Sequence, residues 1–232
     1  MIAELGLAAL WLAAALAALQ MIAGFMAVRD HGKGELAGLI RPAAIMQGVL
    51  VTLSFAMLVW LFAITDLSVK LVASNSHSMK PLIFKLSGSF GNHEGSMLLW
   101  VMVMGLAGAL IALVERRLPE RTMNATLAAQ GVVALGFYAF LLLSSTPFER
   151  MPSPPAEGMG LNPLLQDIGL VFHPPTLYLG YVGMSIPFGM AVAALLRLAL
   201  RILHRMWTAV CTRIRIFRSN TFTCRKRAEH MH

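Results

Sequence analysis

Charge is the scarcest commodity in this 232-residue chain: only 13% of its residues are Asp, Glu, Lys or Arg, and 57% are hydrophobic. Soluble domains carry roughly 25% charged residues. With a mean hydropathy of +0.69, the composition excludes an ordinary soluble domain and predicts an all-α, polytopic integral membrane protein. A backbone surrounded by lipid must satisfy its own hydrogen bonds, which helices do. Cysteine is nearly as scarce. Both cysteines, Cys211 and Cys224, fall in the last 22 residues, so neither a disulfide framework nor a thiolate metal site is expected in residues 1–196. Basic excess is missing from the same stretch: residues 1–196 hold ten Lys/Arg and ten Asp/Glu. The whole net charge of +8 resides in 197–232, so it says nothing of nucleic-acid binding by the body, and no nucleic-acid partner is expected. The sequence also lacks HExxH, CxxC, a Walker loop and any defensible Ser-His-Asp order.

What is present is a series of apolar runs. Spans are expected at about 5–28, 42–64, 96–114, 125–143 and 174–196, five in all. The first is read as a retained helix and not a signal peptide, because no basic region precedes it and its flanking charges are Glu4, Arg29 and Asp30. Pro42 opens the second span, where an early proline is tolerated, and Trp60 and Phe62 near its far end suit an interfacial aromatic belt. Two long polar segments, 65–95 and 144–173, separate the spans; the first reads as helix-poor and the second contains five prolines. Segments of this length are seldom mere connectors. The Lys/Arg bias predicts an outer N-terminus and an inner C-terminus: the short loops 29–41 and 115–122 carry three basic residues each, whereas the two long loops share four. That arrangement puts both long loops on one outer side.

The stretch IGLVFHPPTLYLGYVGMSIPF (168–188) stands out. Pro174 and Pro175 suit the first turn of a helix, which would set His173 at its cap, near the membrane boundary. On a helix starting there, His173, Thr176, Leu177 and Gly180 share a face, with Tyr178 and Tyr181 beside it. A helix N-terminus favours a neutral imidazole, the metal-binding form. His173 is therefore either an iron ligand or a simple interfacial cap. Pro187 is expected to kink this span. In GNHEGS (91–96), His93 and Glu94 either contact a ligand or partner or form a satisfied polar pair at a loop-to-helix turn, with Ser96 available as a cap. His77, Asn92, Trp100 and Asp167 are expected on the same outer surface. The sixteen methionines read as gap-filling contacts and not a copper path, and Gly105 and Gly108 as sites of close helix packing.

NHEGSMLLWV (92–101) and FHPPTLYLGYVGMSIPF (172–188) resemble two signature stretches of the CcmF-type cytochrome c maturation proteins. The segments around Asp66-Leu67-Ser68 and PLIFKLSG (81–88) are similar to that family as well, and the resemblance covers about residues 1–195. It implies a bacterial inner-membrane protein that handles b-type heme transiently on the periplasmic side in system I maturation, as a heme lyase component. The implied partners are membrane lipid, a CcmE-type heme chaperone, CcmH- and CcmI-type subunits and apocytochrome c with its CxxCH cysteines. It makes His173 an axial ligand of heme iron; His93, Glu94, Trp100, Pro174, Pro175 and Tyr178 are candidates for ligand or partner contacts. The family's tryptophan-rich periplasmic segment, second outer histidine and membrane histidine pair have no counterpart here. The tail 197–232 departs from the family and reads either as a truncated or frameshifted end or as a basic cytoplasmic anchor, with Arg197, Arg201 and Arg205 in a helical stripe. Two other classes stay open: a structural assembly subunit that binds no heme, and a transporter or channel subunit. The latter expects ionisable groups in mid-span; the span interiors are nearly free of them, which argues against ion translocation, and the notable polar exceptions, Gln47 and Gln130, fall near span beginnings.

Overall fold

In the computed structural model, residues 1–29, 36–199, 201, 202, 205, 206 and 208 are described. Met1–Ala193 form one compact unit and Ala194–His232 a second. Among the described residues of the second unit the backbone is helical, Arg197, Arg201 and Arg205 included; the rest of the expected tail lies outside the described residues.

The first unit is helical: α1 (Ile2–Arg29), α2 (Ala37–Ile64), α3 (Lys70–Asn75), α4 (Leu82–Gly88), α5 (His93–Val114), α6 (Glu120–Leu143) and α7 (Ile168–Gly183). Five helices are long and apolar enough to cross a membrane, the fifth running over Ile168–Ala199. The chain is thus a polytopic α-helical membrane protein, as its composition requires. Each helix begins earlier than the apolar runs suggest. Pro42 sits in the second turn of α2 and not at its start. The segment 65–95 is not helix-poor, since it holds α3, α4 and the start of α5.

The helices α1, α2, α5 and α6 close a four-membered ring, α1 against α2 and α6, and α5 against α2 and α6. Lipid tails are as apolar as the core, so this ring is held by close packing and interhelical hydrogen bonds, not by hydrophobic exclusion alone. Gly48 and Gly105 bring α2 and α5 together: a Cβ on Gly48 would lie 2.8 Å from the Gly105 carbonyl oxygen. Buried side chains link the rest. Gln20 Nε2 donates to the Leu127 carbonyl at 2.6 Å, Ser54 Oγ to the Gly6 carbonyl at 2.9 Å, and Gln47 Nε2 to the Tyr138 hydroxyl at 3.3 Å. Gln130 Nε2 donates to the Met104 carbonyl at 3.1 Å. Gln20 is a polar mid-span residue that sequence reading passed over.

At one end of the ring, arginines cap helix C-termini, where carbonyls lack partners. Arg41 donates to the carbonyls of Ala112 and Glu115 at the end of α5, and Arg121 to that of Val28 at the end of α1. At the other end the two long loops form one layer. Val69 and Arg150 pair as an isolated antiparallel bridge, and Met159 N donates to the Ala73 carbonyl at 2.8 Å. The Arg150 guanidinium grips Glu4 of α1 through two bonds, 2.5 and 3.0 Å, and also donates to Ser68 Oγ. The N-terminal end of α1 and both long loops therefore share one side, as expected. The end of α2 is strained: Thr65 takes φ 56°, while the Asp66 amide donates back to the Leu61 carbonyl. This closing turn usually carries glycine.

Candidate functional site

Asn92 builds the entrance to α5. Its Oδ1 accepts the Gly95 amide at 2.7 Å, and its Nδ2 donates to the Gly88 carbonyl at 2.7 Å. Asn92 is thus the cap, and Ser96, expected in that role, instead donates to the His93 carbonyl. Gly95 is dictated by crowding, since a Cβ there would run into the Ser89 carbonyl. His93, the first residue of α5, is exposed, and its ring stacks on Phe140 of α6, centroids 5.5 Å apart at 24°. Glu94 lies partly exposed in the first helical turn, where a carboxylate complements the helix dipole. His93, Met97, Val133, Gly136, Phe137 and Phe140 line an apolar groove of about 380 Å³ between α5 and α6.

The helix of His173 starts earlier than its prolines suggest. Asp167 caps α7 by accepting the Gly169 amide at 2.6 Å. His173, Pro174 and Pro175 therefore lie inside the helix, correcting the expectation that His173 is its cap. The physical cause is that a carboxylate cap six residues upstream satisfies the N-terminal amides, so the helix is already running when it meets the prolines. The dipole argument for a neutral imidazole weakens accordingly, because the effect fades beyond the first turn. The two prolines remove donors to the Leu170 and Val171 carbonyls. Just beyond them, Thr176 Oγ1 lies within donating distance of the Phe172 and His173 carbonyls, 2.9 and 3.0 Å. The helix breaks at Met184. Pro187 accounts for this, since its ring clashes with the carbonyl four residues earlier, that of Gly183.

Trp100 joins α5, α6 and α7. Its ring meets Tyr178 edge-on at 5.4 Å and lies tilted against Phe137 at 5.7 Å. Tyr178 thus turns toward the body, while His173, Thr176, Leu177 and Gly180 share the outward, exposed face. Tyr181, expected beside Tyr178, is 67% exposed. Val182 is the buried residue of α7. The structure therefore brings Trp100 and Tyr178 together, seats His93 on α6, and leaves His173 on the open side of α7. Among the described residues, no three His, Cys, Asp or Glu side chains gather as a metal site. The donor set fits a single attachment to iron: one accessible imidazole, flanked by Phe172 and Leu177, which are 64% and 39% exposed.

In the second long loop, Glu157 accepts from the Ser78 hydroxyl at 2.5 Å, the Ser78 amide at 3.1 Å and the Gly158 amide at 2.9 Å. The Ser78 hydroxyl bond leads in holding its carboxyl down at about 2, from 4.5. Lys80, half-buried nearby, has its ammonium pushed below the ordinary range by desolvation and by Lys85.

A helical membrane body with two long loops layered at one end, and an imidazole exposed on its fifth span, defines a class of polytopic α-helical membrane proteins. Comparison with known proteins specifies which. The family described as cytochrome C assembly protein matches residues 90–229, past Leu195, where the sequence resemblance was expected to end. The cytochrome c-type biogenesis protein CycK of Rhizobium meliloti (strain 1021) is 50% identical over 196 residues, 84% of this chain and 29% of that protein. CcmF of Pseudomonas aeruginosa (strain PAO1) is 44% identical over 197 residues, 84% of this chain and 30% of that protein. A solved structure of the cytochrome c heme lyase CcmF matches with a TM-score of 0.71 and 25% identity, over 84% of this chain and 30% of the other. The chain belongs to the cytochrome c assembly family, and it spans about 30% of the length of the relatives it matches.

Proposed function

We propose that this chain handles heme in cytochrome c maturation, with His173 as an axial ligand to the iron of a transiently held b-type heme. The exposed imidazole of His173 on the open face of α7 is the observation that carries this reading. Heme would supply a planar apolar macrocycle and one open iron coordination site. Phe172 and Leu177 offer apolar surface to the first, and the imidazole nitrogen serves the second. Trp100 and Tyr178 hold α7 against the body and so position His173, and Pro174 and Pro175 stiffen the helix beside it. His93 and Glu94, on the same side, are in place to meet a ligand or partner.

In this reading the protein sits in the bacterial inner membrane with its long loops in the periplasm and its basic segment 197–232 in the cytoplasm. Heme arrives from a CcmE-type chaperone and leaves for apocytochrome c, with CcmH- and CcmI-type subunits as partners. The second iron ligand comes from outside the described residues. The names of the relatives support this role.

The test is His173→Ala in the full chain, produced with heme available and purified in detergent. Loss of the heme absorbance with partner capture intact supports the proposal. Unchanged heme content overturns it and leaves the chain a structural subunit of the assembly machinery.

A further inference from the structure

On the side away from the long loops, the ends of α2, α5 and α6 enclose a groove of about 570 Å³. Its polar rim holds two guanidiniums, Arg41 and Arg116, and one carboxylate, Glu120. Arg41 is fixed there by its bonds to the α5 carbonyls, and Glu120 is spent on Arg41 at 3.2 Å. Arg116 is exposed. Glu115, the remaining carboxylate of the connection between α5 and α6, is turned to the Arg117 and Leu118 amides at 2.6 and 3.1 Å. Among the described residues, the rim therefore carries net positive charge.

The wall below is apolar: Pro42, Ile45 and Leu113 line it. It runs along α2 and α5 toward Met46, Val49 and Leu110, which are 50%, 54% and 58% exposed. In a chain with five membrane spans, that surface faces hydrocarbon. A cationic rim directly above an acyl-chain track matches one molecule with an anionic head and an apolar tail. We infer that this groove binds an anionic phospholipid, its phosphate beside Arg116 and Arg41 and one acyl chain along Ile45 and Leu113. Basic pockets between spans on one face of a membrane protein are suited to such headgroups. A free phosphate would leave the apolar wall unused, and a zwitterionic lipid offers no net charge to the rim.

The test is lipid retention by the full chain, measured by native mass spectrometry after equilibration with equimolar phosphatidylglycerol and phosphatidylcholine. Wild type is expected to retain phosphatidylglycerol preferentially. Arg116→Gln should lower that retention about fivefold, as for one basic residue near a membrane surface, with an unchanged thermal transition. Arg117→Gln, outside the groove lining, should leave it near wild type. Equal retention of the two lipids overturns the inference. So does an equal loss in both variants, which would mean general surface charge, or displacement of the lipid by excess inorganic phosphate.

Discussion

Trp100→Ala is the perturbation that asks most directly what holds α7 in place. Of the 16 residues of α7, Val182 is the buried one, so aromatic contact supplies a large share of what keeps the helix against the body, beside Val182 itself and the approach of Leu170 to Gly91. Trp100 supplies two such contacts, with Tyr178 at 5.4 Å and with Phe137 at 5.7 Å. Aromatic pairs at these separations contribute about 0.5–1.5 kcal/mol beyond the area they bury. The Tyr178 pair acts on α7, and its loss should raise local opening of that helix about two- to twelvefold. The Phe137 pair lies between α5 and α6 and affects the ring instead. Amide hydrogen exchange over 168–183 in detergent measures the first effect, and the thermal midpoint the second. Trp100→Ala and Tyr178→Ala should each accelerate exchange across α7, and the double variant should add little, as expected for residues in contact. Tyr178→Phe keeps the ring and should match wild type. If Trp100→Ala lowers the midpoint while exchange over 168–183 stays unchanged, the contact does not secure α7, and Trp100 is not a positioning residue for His173.

Thr65→Gly should stabilise the protein by about 1 kcal/mol, because glycine relieves the left-handed backbone; a lower thermal midpoint would refute the strain argument. Gly95→Ala should destabilise by about 1–3 kcal/mol by driving a methyl into the Ser89 carbonyl, with exchange rising at the start of α5, and an unchanged midpoint would show that the turn yields freely. The carboxyl of Glu157 is held at about 2 against an ordinary 4.5, so its contribution is complete above pH 4.5 and fades as pH falls toward 2. Pepsin cleavage within 73–80 should therefore climb across that interval, and Glu157→Gln should be cleaved readily at its upper end already. A flat wild-type profile would mean that the Glu157–Ser78 junction does not tie the loops together.

Helix number and the sharing of one side by the long loops were legible because both follow from coarse quantities, apolar length and chain parity. Helix starts were less so. Asp167 and Asn92 each lie before the apolar run, in text that reads as loop, and a cap announces itself only when the chain beyond it is known to be helical. Hence His173 moved from the cap to the sixth residue of its helix. The helices α3 and α4 were hidden for a related reason: at six and seven residues they are too short to form alone, and they persist through packing against Phe62 and the second loop. The outward turn of His173 was the least legible feature. In a soluble helix, the polar face names the exposed side. Around α7, lipid and protein are equally apolar, so the sequence around His173 and Tyr178 fixes that a span exists there without fixing which ring turns inward.

In the proposed reading, the placement of His173 on a weakly buried helix suits a heme that is handed on. Here the four-helix ring is the tightly packed part, held by the Gly48–Gly105 approach and buried glutamines, and its one described histidine, His93 at the start of α5, is exposed at the rim. The imidazole stands instead on the span with the smallest buried share, directly before two prolines that each remove a backbone bond. Local opening is cheapest where buried contacts are few. In that reading, a group presented there would be reachable by an incoming macrocycle and able to release it, with this chain supplying one iron ligand. The edge-on contact of Tyr178 with Trp100 is then the setting of the balance: strong enough to aim the imidazole, and weak enough that aiming it does not bury it.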